Sequence, residues 1–348
     1  MGKNIEETAI SSICKPIKPA LKTLAQNLLV GLLISLPFSE TFAQGKIAPK
    51  EGLKYHDFLY TGEYDYRRPV QTIFLIRDGK VKWSYDIPFK DSTNTIEELG
   101  DATMRKNGNI VFCRKVGASE VTPDKKVIWN VNAAPNHEIH SVQAIGLNRI
   151  LYVTQGVPCI AHLVNVKTGK TEKEFVLPTG KPQPHLQFRR VRLLSNGNIL
   201  AAHLDSNQVS EYDPSGKTVW SFKAQYPWSA SRLANGNTLI SNFHNTVSEV
   251  DPQGKLIWQL NQSDIPSIKL YIIQDAERLP NGNTVFANWL AGEVKDPKDW
   301  PGTVQLIEVN QQKQVVWTLS QWSNPDMGPA SSFQLLDKKM LDRIPAYR

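Results

Sequence analysis

The chain reads as an all-β, six-bladed β-propeller of four-stranded antiparallel blades, and three observations carry that reading. Tryptophan closes a short alternating stretch after a turn at Trp83, Trp129, Trp220, Trp258 and Trp317. An Asn-Gly hairpin lies upstream in four copies, KNGNIVF, SNGNILA, ANGNTLI and PNGNTVF, starting at Lys106, Ser195, Ala234 and Pro280. The two signals recur with a period of about 40 residues and four strands per period, which is the spacing of propeller blades. Asn-Gly between apolar runs is a strong hairpin signal, and a two-residue loop there requires positive φ at both residues.

Residues 1–43 carry Lys3, Lys15, Lys18 and Lys22 ahead of an apolar run from Leu28 to Phe38. That run suits the core of a signal peptide and is short for a membrane span. Export to the periplasm or medium is expected, with cleavage near Ala43 and no stable membrane insertion afterwards. A short lead-in, residues 44–55, precedes the propeller at residues 56–340, and residues 341–348 form a tail.

Blade one runs from Asp57 (DFLYTG) to Trp83 and lacks an opening strand, while Ser331 to Asp337 (SSFQLLD) has the missing pattern. The C-terminal strand should therefore complete blade one and close the ring, leaving no open sheet edge. Blades two to six open at IEELGDATMRKNGN, NHEIHSVQAIGLNR, HLQFRRVRLLSNGN, YPWSASRLANGN and YIIQDAERLPNGN. The third has lost its Asn-Gly and carries Lys173 in place of tryptophan.

Cys14 falls in the leader, so Cys113 and Cys159 remain, too few for a disulfide framework; either a single bridge or two buried thiols is possible. The formal charge is +7 over the full chain. No basic cluster or aromatic-interleaved stripe accompanies it, so nucleic acid is not an expected partner. A monomer is expected.

Inner strands descend from the loop-rich upper face to the Asn-Gly turn at the lower face, and second strands climb back. Alignment on that turn, with residues two apart on one side of a strand, places Asp101, Ser141, Arg190, Ser229, Asp275 and Ser332 in one axial ring. Thr103, Gln143, Arg192, Ser231, Glu277 and Gln334 form the next. All are polar, so the strands line a wet channel or a polar ligand site. His137, Glu138, His140, His185, Gln187, Arg189, Glu97 and Glu98 should enter the upper mouth, with Arg114, His203, Asn242, Asn288 and Trp289 arriving from second-strand ends. That mixture suits a polar or anionic ligand of carbohydrate-like kind, with Trp289 as a stacking platform. HEIH lacks the spacing that gives two metal ligands on one helical face, and in extended chain His137 and His140 point oppositely, so no metal is expected. The insertion from Leu290 to Gly302 belongs to the upper face, where Trp300 would cap the mouth.

The stretch from Ile272 to Trp289, IIQDAERLPNGNTVFANW, resembles a blade of the exported bacterial arylsulfotransferases. These are six-bladed propellers whose inner strands often read His-Asp before Leu-Pro-Asn-Gly-Asn. The D-x-x-G-K-x-x-W hairpins resemble the repeats of pyrroloquinoline-quinone-type propellers. The resemblance spans about residues 55 to 340 and implies the fold. Where the sulfotransferase motif has His-Asp, this chain has Gln274-Asp275, Gly100-Asp101 and Arg189-Arg190, and only His140-Ser141 keeps an imidazole. Group transfer would need His140, His137 or His203 as nucleophile, with Arg189 or Arg190 stabilising charge. With no adjacent cysteine pair and no calcium cluster, no cofactor is expected. Three functions follow in order: a ligand-binding propeller, an enzyme on the same site, and a protein-interaction scaffold. As an enzyme it would be a transferase, or a polysaccharide lyase with His140 or His185 as base beside Arg190.

Overall fold

The computed structural model describes residues 48–337. The expected leader and tail, and the Cys14 within that leader, lie outside those residues. Six antiparallel sheets of four strands form the blades, and the helical content among the described residues is two short 3-10 turns at Pro184–Leu186 and Pro297–Gly302. Blade one is ordered Ala330–Leu335, Phe58–Gly62, Val70–Arg77 and Lys80–Pro88. The C-terminal strand is innermost, with Leu335 opposite Phe58 and Ser332 opposite Thr61. A further strand, Lys50–Glu51, runs parallel to Val315–Leu319 on the outside of blade six. The Trp317 indole N–H donates to Gly52 O at 2.8 Å. The chain thus bridges blades six and one at both ends.

The hairpins differ from the expected two-residue form. Only the glycine of each Asn-Gly pair is left-handed, for example Gly108 at φ 86° and Gly236 at φ 87°. Arg105 N–H donates to Asn109 O and Gly108 N–H to Arg105 O, so the loop holds three residues, a type I turn ended by a left-handed one. Asn107 Oδ1 accepts the Asn109 N–H at 3.1 Å, and this is what asparagine contributes.

The repeat motif encodes a lattice of side chains. The second asparagine of NGN donates to a third-strand glutamate: Asn198 to Glu211 and Asn237 to Glu249 at 2.6 Å, and Asn283 to Glu308 at 2.6 Å. The other carboxylate oxygen of the first two takes an arginine from the next blade, Arg232 on Glu211 at 2.5 Å and Arg278 on Glu249 at 2.7 Å, and that of Glu308 takes His56 at 2.8 Å. Each guanidinium lies over a blade-closing tryptophan, Trp220 at 4.7 Å and Trp258 at 4.9 Å. The indoles of Trp83, Trp220 and Trp258 donate to carbonyls of Pro123, Pro252 and Gln311 in the following blades. Lys173 instead covers Phe175 at 4.6 Å.

Candidate functional site

Five inner strands carry a register shift near their upper ends, between Leu99 and Ala102, Phe188 and Val191, Pro227 and Ser229, Ile273 and Asp275, and Ala330 and Ser332. Such bulges re-aim side chains. In blade four the bulge sends Arg189 to the upper rim and Arg190 to the axis.

Arg190 is 3% exposed and closes the neck of the channel. Its Nη atoms stand 3.7 Å from Asp101 and 4.0 Å from Asp275, and reach the Gly100 and Ser331 carbonyls only at 3.4 Å. Its Nε has no protein partner. Arg192 grips Asp101 through two contacts, 2.8 and 3.2 Å. Despite burial, Arg190 and Arg192 hold the Asp101 carboxyl below its usual range. Burial, with Asp101 nearby, pushes Asp275 up.

Below this neck lies a cavity of about 1110 Å³. Thr103, Gln143, Arg192, Ser231, Glu277 and Gln334, the second axial ring, all line it, and its mouth is at Asn196, Asn235 and Gly282 of the Asn-Gly turns. It opens on the lower face, whereas the sequence argument put the ligand at the upper one. The lining has five carboxylates against three guanidiniums. Three of the five are held in the pairs Asp101–Arg192, Glu211–Arg232 and Glu249–Arg278.

The upper face holds a separate cluster drawn from blades two, three and four. Glu138 Oε2 accepts from His140 Nε2–H at 2.6 Å and from His185 Nδ1–H at 3.0 Å. Arg189 donates to the His185 carbonyl at 2.6 Å and approaches His185 Nε2 at 3.2 Å, with its guanidinium 4.8 Å over Trp228. Burial, helped by Arg189, pushes the His140 imidazole down to about 4, so it is neutral at physiological pH. Burial opposes ionisation of Glu138, yet its two histidine hydrogen bonds hold it well below the usual carboxylate range. Lys115 Nζ lies 3.8 Å from Glu98 Oε1 and 3.6 Å from Glu138 Oε1. Beneath them Glu63 is buried, and burial followed by the nearby Glu98 pushes it up to about 8.

The other residues singled out in the sequence have structural partners. Gln187 clamps a loop, accepting from Gly156 N–H and donating to Gly156 O and Lys181 O. Asn288 accepts from Tyr271 N–H and donates to Lys269 O and Val304 O. Asn242 shapes a turn through His244 and Thr246 N–H. Arg114 pairs with Glu97 at 2.7 Å. His203 is buried between Phe188 and Tyr212, and His137 turns to Pro135 O, apart from the His140 cluster. Trp289 is buried among Ile272, Leu290, Trp300 and Trp322, so it offers no open stacking face. Trp300 is no cap either: it is fully buried, donates to Val294 O and lies under the Arg67 guanidinium. Cys113 and Cys159 are free, buried thiols. Glu98 and Glu138 reach the upper mouth as strand direction implied, and the structure adds their pairing: Glu98 faces His140 and His185 of the next two blades, and Glu138 holds its neighbour His140 and, across the blade boundary, His185.

No protein-family model matches the chain, and no curated protein matches its sequence. Several solved structures are similar. A Bacteroides caccae protein of unknown function is 24% identical, covering 81% of this chain and 100% of its own, with a TM-score of 0.69. A catalytically inactive virginiamycin B lyase from Staphylococcus aureus, solved with quinupristin, is 13% identical over 76% of this chain and 85% of its own, with a TM-score of 0.50. A streptogramin B lyase is 11% identical over 75% and 82%, also at 0.50. The likeness is one of fold. Among the described residues, no helix is long and apolar enough to cross a membrane.

Proposed function

We propose that this protein is an exported binding propeller that takes a neutral, hydroxyl-rich ligand of carbohydrate type in its axial cavity, entered from the Asn-Gly face. The observation that carries the reading is the cavity of about 1110 Å³ bounded by the second polar ring. A pocket of that size with convergent amide, hydroxyl and ionic groups fits a polar small molecule. Its balance of five carboxylates to three guanidiniums argues against an anion and for hydroxyl donors. Arg190 behind Asp101 and Asp275 offsets part of the excess, so a neutral ligand suits it better than a polycation. Trp258 and Phe333 supply apolar contact at the lining.

Calorimetric titration with neutral, amino and acidic oligosaccharides tests this. Saturable binding of a neutral sugar is expected, and its loss in Ser231→Phe, which fills the cavity from a position on its wall. The reading fails if no neutral glycan or polyol saturates the protein, or if folded Ser231→Phe binds as tightly as the parent.

A further inference from the structure

We infer that Glu98, His140 and His185 form a binding site for one divalent transition-metal ion of the zinc class on the upper face. This site is independent of the axial cavity and its ligand. One ligand atom from each of the three residues lies within 4.8 Å of the other two. Glu98 Oε2 is 4.0 Å from both His140 Nδ1 and His185 Nδ1. Donors around a tetrahedral zinc ion, bonded at about 2.1 Å, stand about 3.4 Å apart. The two Glu98 pairs therefore need to close by roughly 0.6 Å and the His140–His185 pair by at most about 1.4 Å, within the reach of side-chain torsions.

The donor set selects the ion. Two imidazoles and one carboxylate match zinc, iron(II), cobalt or nickel, whereas calcium and magnesium take oxygen ligands. The surroundings hold the donors in place. The His140 Nε2–H is fixed on Glu138 at 2.6 Å, which turns the Nδ1 lone pair toward Glu98. A carboxylate behind a ligating imidazole is the usual outer support of such sites. Lys115 stands at the Oε1 atoms of Glu98 and Glu138, leaving the Glu98 Oε2 side to the imidazoles. His185 contributes last, because its Nδ1 proton now points to Glu138. Binding moves that proton to Nε2 and gives up the Arg189 contact at 3.2 Å. Arg189 keeps its two shorter bonds, to the His185 and Phe188 carbonyls. His185 is the most exposed of the three, with 29% of its side chain in solvent, so a fourth coordination position faces water.

The test uses the untagged chain, stripped with chelator and titrated with Zn²⁺ by calorimetry and Co²⁺ by visible absorption. One ion per chain is expected, with the intense ligand-field bands of tetrahedral cobalt. Glu98→Gln and His140→Gln should each weaken binding about 100-fold or more, and Glu138→Gln by about 10- to 100-fold, with metal-free melting curves showing that each variant is folded. Should either ligand variant fail to fold, His185→Gln supplies the same comparison from a more exposed position. Absence of binding by the parent, or unchanged affinity in the folded ligand variants, overturns the site.

Discussion

At the residue scale, two buried ionisable groups set how stability changes with pH. His56 donates Nδ1–H to Asp337 at 2.7 Å and Nε2–H to Glu308 at 2.8 Å. Burial works against the charged ring, but these two carboxylates push it up to about 9. A raised folded pKa means a contribution fully present below about 6.5 and lost as pH rises through about 9, worth on the order of 3 kcal/mol. The melting temperature should therefore fall over that window, and His56→Gln should flatten the fall. Glu63 acts in the same direction for a different reason. Burial and the nearby Glu98 outweigh the help of Arg189, Arg190 and Gln274, so the folded state binds a proton that the unfolded state releases between about 4.5 and about 8. Glu63→Gln should stabilise the protein near neutral pH by about 1–3 kcal/mol in denaturant titrations, and a lower midpoint would refute the assignment. Neither effect was legible in the sequence, because the partners of His56 lie more than 250 residues away.

At the element scale, the repeat proves to be a device for fastening one blade to the next. Asn237, Glu249 and Arg278 meet across the blade five to blade six boundary under Trp258. Glu249→Leu leaves a largely buried guanidinium and an amide without their acceptor, and a loss of roughly 3 kcal/mol is expected. Removing Glu172, whose pairing with Arg149 at 3.8 Å is more than a third exposed on both sides, should cost at most about 0.5 kcal/mol. Equal losses in chemical denaturation would show that the lattice is decoration. The motif residues themselves were readable, since each blade repeats them at constant spacing. The turn type was not: the asparagine stays right-handed because its side chain caps the loop, leaving positive φ to glycine alone.

At the scale of the whole molecule, stability depends on closing the ring. Ala330–Leu335 is the innermost strand of blade one, and Phe58, Tyr60, Phe333 and Leu335 share a core with Trp317 and Leu319 of blade six. A chain ending at residue 329 should lose its cooperative calorimetric transition, because it exposes the edge of Phe58–Gly62 and opens that core. A retained single transition would show that five complete blades suffice.

Period and alternation in the sequence determined the number of blades, the closing strand and the two polar rings, because each of these repeats locally and a strand shows one side every second residue. The same alignment could not say which end of the channel is open. That was decided by Arg190, which a bulge turns into the neck between Asp101 and Asp275, leaving the cavity to open among the Asn-Gly turns. Strand direction put Glu98, His140 and His185 at one mouth, but their approach to within 4.8 Å was settled only when three blades came together around one axis. Unlike the Glu–Arg–Trp lattice, this cluster uses residues that are not repeated from blade to blade, so no sequence period reports it.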